Sequence, residues 1–168
     1  FELFVRMLRE SKNRKYGRRD FIFVLGNHEF WDFPELSVEQ IVEKYRTLLE
    51  ENEMYLLHND LYYKNEFDDK GIIPYSELIH LDSLALAEKL RCTRMVILGG
   101  LGFSGYNEEF NAKNGIYRKT VDRSTEIRES KKFEQLYNKL LNVLSKRNTI
   151  IFTHTLKQDW CADAGYHE

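Results

Sequence analysis

The chain has 168 residues, 42% of them hydrophobic and 31% charged, with a formal net charge of −2. That balance suits one globular domain with a real core, and it weighs against a long nucleic-acid partner, whose binding protein is usually basic. Cys92 and Cys161 form neither a metal-ligand spacing nor a disulfide framework, and no apolar stretch is long enough to span a bilayer. A reduced, cytoplasmic setting without a membrane partner is therefore expected.

In chain order, Phe1 to Glu10 carries helical apolar spacing at Leu3, Phe4, Met7 and Leu8. The basic run Lys12 to Arg19 reads as a solvated connector. Phe21-Ile22-Phe23-Val24-Leu25 is a continuous apolar run with a glycine stop, predicted as a buried strand. Ser37 with Gln40 three residues on forms a capping box. It opens a helix with Val38, Ile41, Val42, Tyr45, Leu48 and Leu49 on one face.

Met54 to Tyr63 predicts strand, turn, strand, with Asn59-Asp60 inside. Lys64 to Gly71 is polar and predicts a surface turn. Ser76 to Arg91 predicts one helix, or two short ones broken near Ser83. Met95 to Leu98 is a second buried strand, followed by a glycine-rich loop. Glu126 to Lys146 predicts a long helix with Phe133, Leu136, Tyr137, Leu140 and Leu144 on one stripe. Thr149 to Thr153 predicts a buried strand ending at His154. No repeat, linker or low-complexity segment interrupts the pattern, which indicates an α/β layered fold in one domain.

Two strands end in residues that carry chemistry. The first runs into Gly26-Asn27-His28-Glu29, an amide oxygen, an imidazole and a carboxylate delivered to one spot. Ligands of open α/β sheets bind at such carboxyl ends. The second runs into His154. If both strands lie in one sheet and point the same way, Asn27, His28 and His154 converge at one edge. An amide oxygen suits a hard cation, and imidazole suits a metal or a proton transfer. Taken alone, His154 reads first as a strand-end histidine bonded to backbone.

Other candidates read as structure. Asp68-Asp69 fits a solvated turn, His80-Leu81-Asp82 a helix surface, and His58 a satisfied, half-buried histidine. His167-Glu168 closes the chain. Gly100-x-Gly102-x-x-Gly105, with Asp122 twenty residues past Gly102, matches a dinucleotide fingerprint. The following Tyr106 to Asn114 lacks the helix that fingerprint needs. Tyr106 and Asn107 fit better at the rim of a site. Trp31 belongs either to that rim or to the core.

Gly26-Asn27-His28-Glu29 after an apolar strand resembles the central motif of the calcineurin-like metallophosphoesterases. The strand ending in Thr153-His154 resembles their later Thr-His motif. Ile97 to Gly105 resembles the glycine-rich strand exit of some bacterial members. The resemblance implies an α/β/β/α sandwich of two mixed β-sheets flanked by helices.

It also implies two divalent metals (manganese, iron or zinc by ligand type) and no organic cofactor. Asn27 and His154 would be metal ligands, and His28 would face the phosphate of a phosphate-ester substrate. Glu29 would orient His28 through a hydrogen bond. The opening Asp-x-His and Gly-Asp-x-x-Asp motifs of that family, and its closing Gly-His-x-His, are not present. The chain is therefore expected to be the middle of such a domain, truncated at both ends and weak or inactive alone. The alternatives are a non-catalytic phosphoesterase-like scaffold or binding domain, and a purely structural fragment. Substrate and oligomeric state are not legible.

Overall fold

The computed structural model describes residues 2–10, 18–67, 69–103, 123–144 and 149–155. The basic run up to Gly17, Asp68, Gly105, Tyr106, Asn107, Asp122, Cys161 and His167-Glu168 lie outside the described residues. The elements in order are α1 (Glu2–Glu10), β1 (Ile22–Phe23), α2 (Asn27–Trp31), α3 (Val38–Glu50), β2 (Tyr55–Leu56), β3 (Asp60–Asn65) and β4 (Lys70–Ile73). They continue with α4 (Tyr75–Leu78), α5 (Ser83–Lys89), β5 (Thr93–Gly102), α6 (Arg123–Val143) and β6 (Thr149–Thr155).

The strands form two sheets. β1 pairs with β2 in parallel, and the second sheet is mixed, in the order β4-β3-β5-β6. β3 runs antiparallel to both β4 and β5, and β6 joins β5 in parallel. Three apolar clusters stack these pieces into layers. One joins β1 and β2 to α2 and α3 through Leu25, Phe30, Ile41, Leu49 and Leu56. A second lies between the sheets, with Leu57, Tyr62 and Ile97 buried against Ile22, Val24 and Tyr55. The third covers the outer face of the mixed sheet with α4, α5 and α6, around Leu61, Val96, Leu98 and Phe133. The order is helix, sheet, sheet, helix, which is the expected α/β sandwich.

Local chemistry accounts for most boundaries. Ser37 Oγ accepts from Gln40 N–H at 3.2 Å, and Gln40 Oε1 accepts from Ser37 N–H at 2.8 Å, so the capping box forms as the sequence predicts. Such a cap contributes about 1 kcal/mol. The 76–91 segment divides into two short helices. Asp82 Oδ1 accepts from Ala85 N–H at 2.7 Å and starts α5 anew. The α6 stripe behaves as expected: Phe133, Leu136 and Leu140 are buried, while Tyr137 and Leu144 are half-buried against them.

Four expectations need correction. β1 is only two residues long and half-buried, and among the described residues it pairs with β2 alone. Lys64 to Gly71 is not one surface turn: Lys64 and Asn65 end β3, and Lys70 begins β4. The polar residues close a hairpin, since Asn65 Oδ1 accepts from both Phe67 and Asp69 N–H at 2.9 Å.

Gly99, Gly100 and Gly102 belong to strand β5 and not to a loop: Gly99 pairs with Asp60 and Phe152, Gly100 with Thr153 and Gly102 with Thr155, and neighbouring atoms leave no room for their side chains. β6 continues past His154 to Thr155. It alternates half-buried and exposed residues and, among the described residues, pairs with β5 alone, so it is not a buried strand.

Candidate active site

Gly-Asn-His-Glu turns from β1 into helix α2. Gly26 is the N-cap residue, in extended backbone at φ −109°. The Glu29 carboxylate reaches back, and its Oε2 accepts the Gly26 N–H at 2.8 Å. That bond satisfies one of the donors left unpaired at a helix start. It places Asn27 half-buried at the first position of α2 and His28 exposed at the second. Phe30, fully buried in the cluster with Ile41 and Leu49, anchors the short helix to α3. Tyr45 of α3 packs behind it. Its hydroxyl pKa is pushed up by burial and then by the Glu29 and Asp32 carboxylates.

Glu29 thus acts on His28 through the backbone of α2; its resolved hydrogen bond goes to Gly26 and not to the imidazole. The His28 ring instead meets Trp31, with centroids 4.6 Å apart and planes tilted by 52°. Trp31 is 46% exposed, so it is not a core residue.

His154 arrives from the other sheet. β1 and β6 do not share a sheet, so the expected convergence along one sheet edge does not occur. The two motifs meet across the sandwich instead. A Cβ on Gly26 would stand 3.0 Å from both Cε1 and Nδ1 of the His154 ring. Side chains alternate along a strand. Ile151, on the opposite face from His154, packs against the α6 cluster, so His154 faces the β1 side. The absence of a side chain at Gly26 lets the imidazole lie directly against the turn that carries Asn27 and His28.

An amide oxygen and an imidazole on adjoining backbone are suitable donors for a divalent cation such as manganese, iron or zinc. They are two donors where a firm site uses four to six. Among the described residues no group of three or more His, Cys, Asp and Glu is arranged to hold a metal. Asn27 and His154 alone supply too few donors for such a site.

The remaining candidates have structural duties. His80 is exposed between α4 and α5, and Asp82 caps α5. Asp69 sits in the β3–β4 hairpin, where its Oδ2 accepts from Asn65 Nδ2 at 3.0 Å.

His58 differs from its expected role. Its side chain is 11% exposed, Nε2 lies 3.6 Å from Glu129 Oε2, and Nδ1 is buried with no partner among the described residues. Glu129 Oε1 also accepts from Lys132 Nζ at 2.8 Å. Burial alone would raise the Glu129 pKa. The close approach of His58 and the hydrogen bond and charge of Lys132 outweigh it and hold the carboxyl at about 2.

Asp60 beside it is the other polar centre that sequence reading missed. Its Oδ2 accepts from His58 N–H at 3.0 Å and from Arg46 at 3.1 Å, and its Oδ1 accepts from Tyr75 N–H at 2.9 Å. The available signal was Asn59-Asp60 interrupting an apolar run. Asn59 adopts φ +62°, a turn conformation asparagine tolerates.

Set against protein-family models, curated proteins and solved structures, the chain matches none of them. Among the described residues, no helix is long and apolar enough to cross a membrane.

Proposed function

We propose that the chain is part of a bacterial-type, calcineurin-like metallophosphoesterase that hydrolyses a phosphomonoester or phosphodiester in the cytoplasm. The observation that carries this reading is the His154 ring standing against Gly26 of Gly-Asn-His-Glu. Two motifs 128 positions apart, by subtraction of 26 from 154, meet although they lie in different sheets.

Asn27 and His154 would hold metal through the amide oxygen and an imidazole nitrogen. Bound divalent cations supply charge for the phosphoryl oxygens and lower the pKa of a water toward neutrality. His28 is exposed beside this spot, so its ring can reach a substrate oxygen and pass a proton to the departing group. Trp31 backs that ring and limits its rotation. Glu29 fixes the first turn of α2 and thereby the direction in which Asn27 and His28 leave the backbone.

The test is manganese-dependent hydrolysis of an aryl phosphate and of a bis-aryl phosphodiester by the chain and by a form extended at both ends. His28→Ala in the active form is expected to lower kcat by roughly 10²–10⁴. No hydrolysis in the extended form with any divalent metal would refute the enzyme. It would favour a non-catalytic scaffold, which the lack of a third clustered ligand among the described residues also suits.

A further inference from the structure

Helix α2 carries two neighbouring aromatic side chains and treats them in opposite ways. Phe30 is fully buried against α3, while Trp31 is 46% exposed. Indole is the largest flat apolar surface a side chain offers, and folded proteins ordinarily cover most of it. The Trp31 ring has an aromatic neighbour in His28, with centroids 4.6 Å apart. The two planes are tilted by 52°, so the imidazole does not lie flat on the indole and use up its face. Beside an exposed histidine there is thus a flat apolar surface open to water.

Hydrolysis of a phosphate ester decides what that surface would meet. The attacking water forms the new P–O bond and releases a proton to solvent. The ester P–O bond breaks with its electron pair on the departing oxygen, which takes a proton from His28. The group attached to that oxygen therefore stands beside the His28 ring, where the Trp31 indole is the adjoining surface.

We propose that Trp31 is a specificity-determining residue that favours esters whose departing group is a flat aromatic ring. The inference rests on the phosphoesterase reading and deepens it by naming the class of leaving group. A flat ring gains aromatic contact with the indole that a saturated ring of similar size does not. Such a pair is worth about 2–10-fold in affinity.

The test is competitive inhibition by phenylphosphonate and cyclohexylphosphonate of whichever form hydrolyses the aryl phosphate. Neither C–P bond is cleaved, so the reactivity of the leaving group does not enter. Trp31→Leu is expected to lower the preference for the phenyl over the cyclohexyl compound by about 2–10-fold. Trp31→Phe is expected to keep part of that preference. A thermal melt accompanies each variant, and Trp31→Ala gives the same comparison if the leucine form does not fold. If Trp31 serves only to hold the His28 ring, its loss lowers kcat and leaves the preference unchanged.

The same preference in wild type and Trp31→Leu would therefore overturn the proposal and leave the phosphoesterase reading standing. Inhibition by phenol as strong as that by phenylphosphonate would overturn it too, because the ring would then bind without a phosphoryl group beside His28. If no form hydrolyses either ester with any divalent metal, the phosphoesterase reading itself fails and the proposal falls with it.

Discussion

Replacing Glu129 with glutamine removes one charge from the joint between α6 and the β2–β3 turn, and its effect on acid stability can be worked out. The Glu129 side chain is 6% exposed. His58, Lys132 and Arg128 face it, with Lys132 Nζ at 2.8 Å and Arg128 Nε at 3.4 Å. Its carboxyl is held at about 2, against an ordinary value of 4.5. A folded pKa below the unfolded one means the unfolded chain takes up the proton first as pH falls. The contribution is therefore fully present above pH 4.5 and is lost between 4.5 and 2.

The full difference is about 3 kcal/mol, of which about 2 kcal/mol is gone by pH 3. Urea unfolding of wild type and Glu129→Gln between pH 5.5 and pH 3 measures it directly. Carboxylates common to both proteins cancel in the difference. The stability gap is expected to shrink by about 2 kcal/mol over that range. A gap that stays constant within about 0.5 kcal/mol would show that the His58–Lys132 cluster does not hold Glu129 ionised, and would refute the argument.

Three further substitutions probe other parts of the architecture. Gly102→Ala places a side chain at positive φ against Thr155 and should cost about 2–5 kcal/mol in chemical denaturation. Asp60→Ala leaves Arg46 and two N–H groups without their buried acceptor, and should lower stability by about 3–5 kcal/mol; a loss below about 1 kcal/mol would mean the turn relaxes to water. Gly26→Ala is the informative contrast. The atoms nearest the new methyl are Cε1 and Nδ1 of the exposed His154 imidazole, at 3.0 Å, and the Glu29 carboxylate, at 3.3 Å. Stability should change by less than about 1 kcal/mol in chemical denaturation, while the His154 ring resonances shift; unchanged ring resonances would show that the ring does not stand against the turn.

Legibility followed the physics of each feature. Local signals were sufficient for the helices: Ser37 with Gln40 sets the start of α3, and the Phe133–Leu136–Leu140 stripe sets the buried face of α6. The motif residues were legible because Asn27, His28 and His154 follow apolar runs.

What sequence reading missed depends on contacts across the chain. Glycines 99, 100 and 102 resemble a loop locally, and only pairing with β3 and β6, at Asp60, Phe152, Thr153 and Thr155, makes them strand residues. The His58–Glu129 pair spans 71 positions, taking 58 from 129, and no spacing rule joins a turn to a helix at that distance. Whether β1 and β6 share a sheet was open for a similar reason. Two parallel strands with helices between them are compatible with one sheet or with two.

The division into two sheets changes what the site depends on. Asn27 and His28 ride on a short helix held by Phe30 and by the Glu29 cap, in the layer of α2, α3, β1 and β2. His154 rides on β6, in the mixed sheet covered by α6. Their relative placement is set by the apolar layer of Leu57, Tyr62 and Ile97 between the sheets, together with Leu101 of β5, which packs into the cluster beneath α2. Leu101 has a second duty, because its carbonyl receives the Thr155 hydroxyl that fastens the end of β6. One residue therefore ties the core of the first layer to the strand end carrying His154. A change that loosens Leu101 should separate the two halves of the site without touching any residue that bears its chemistry.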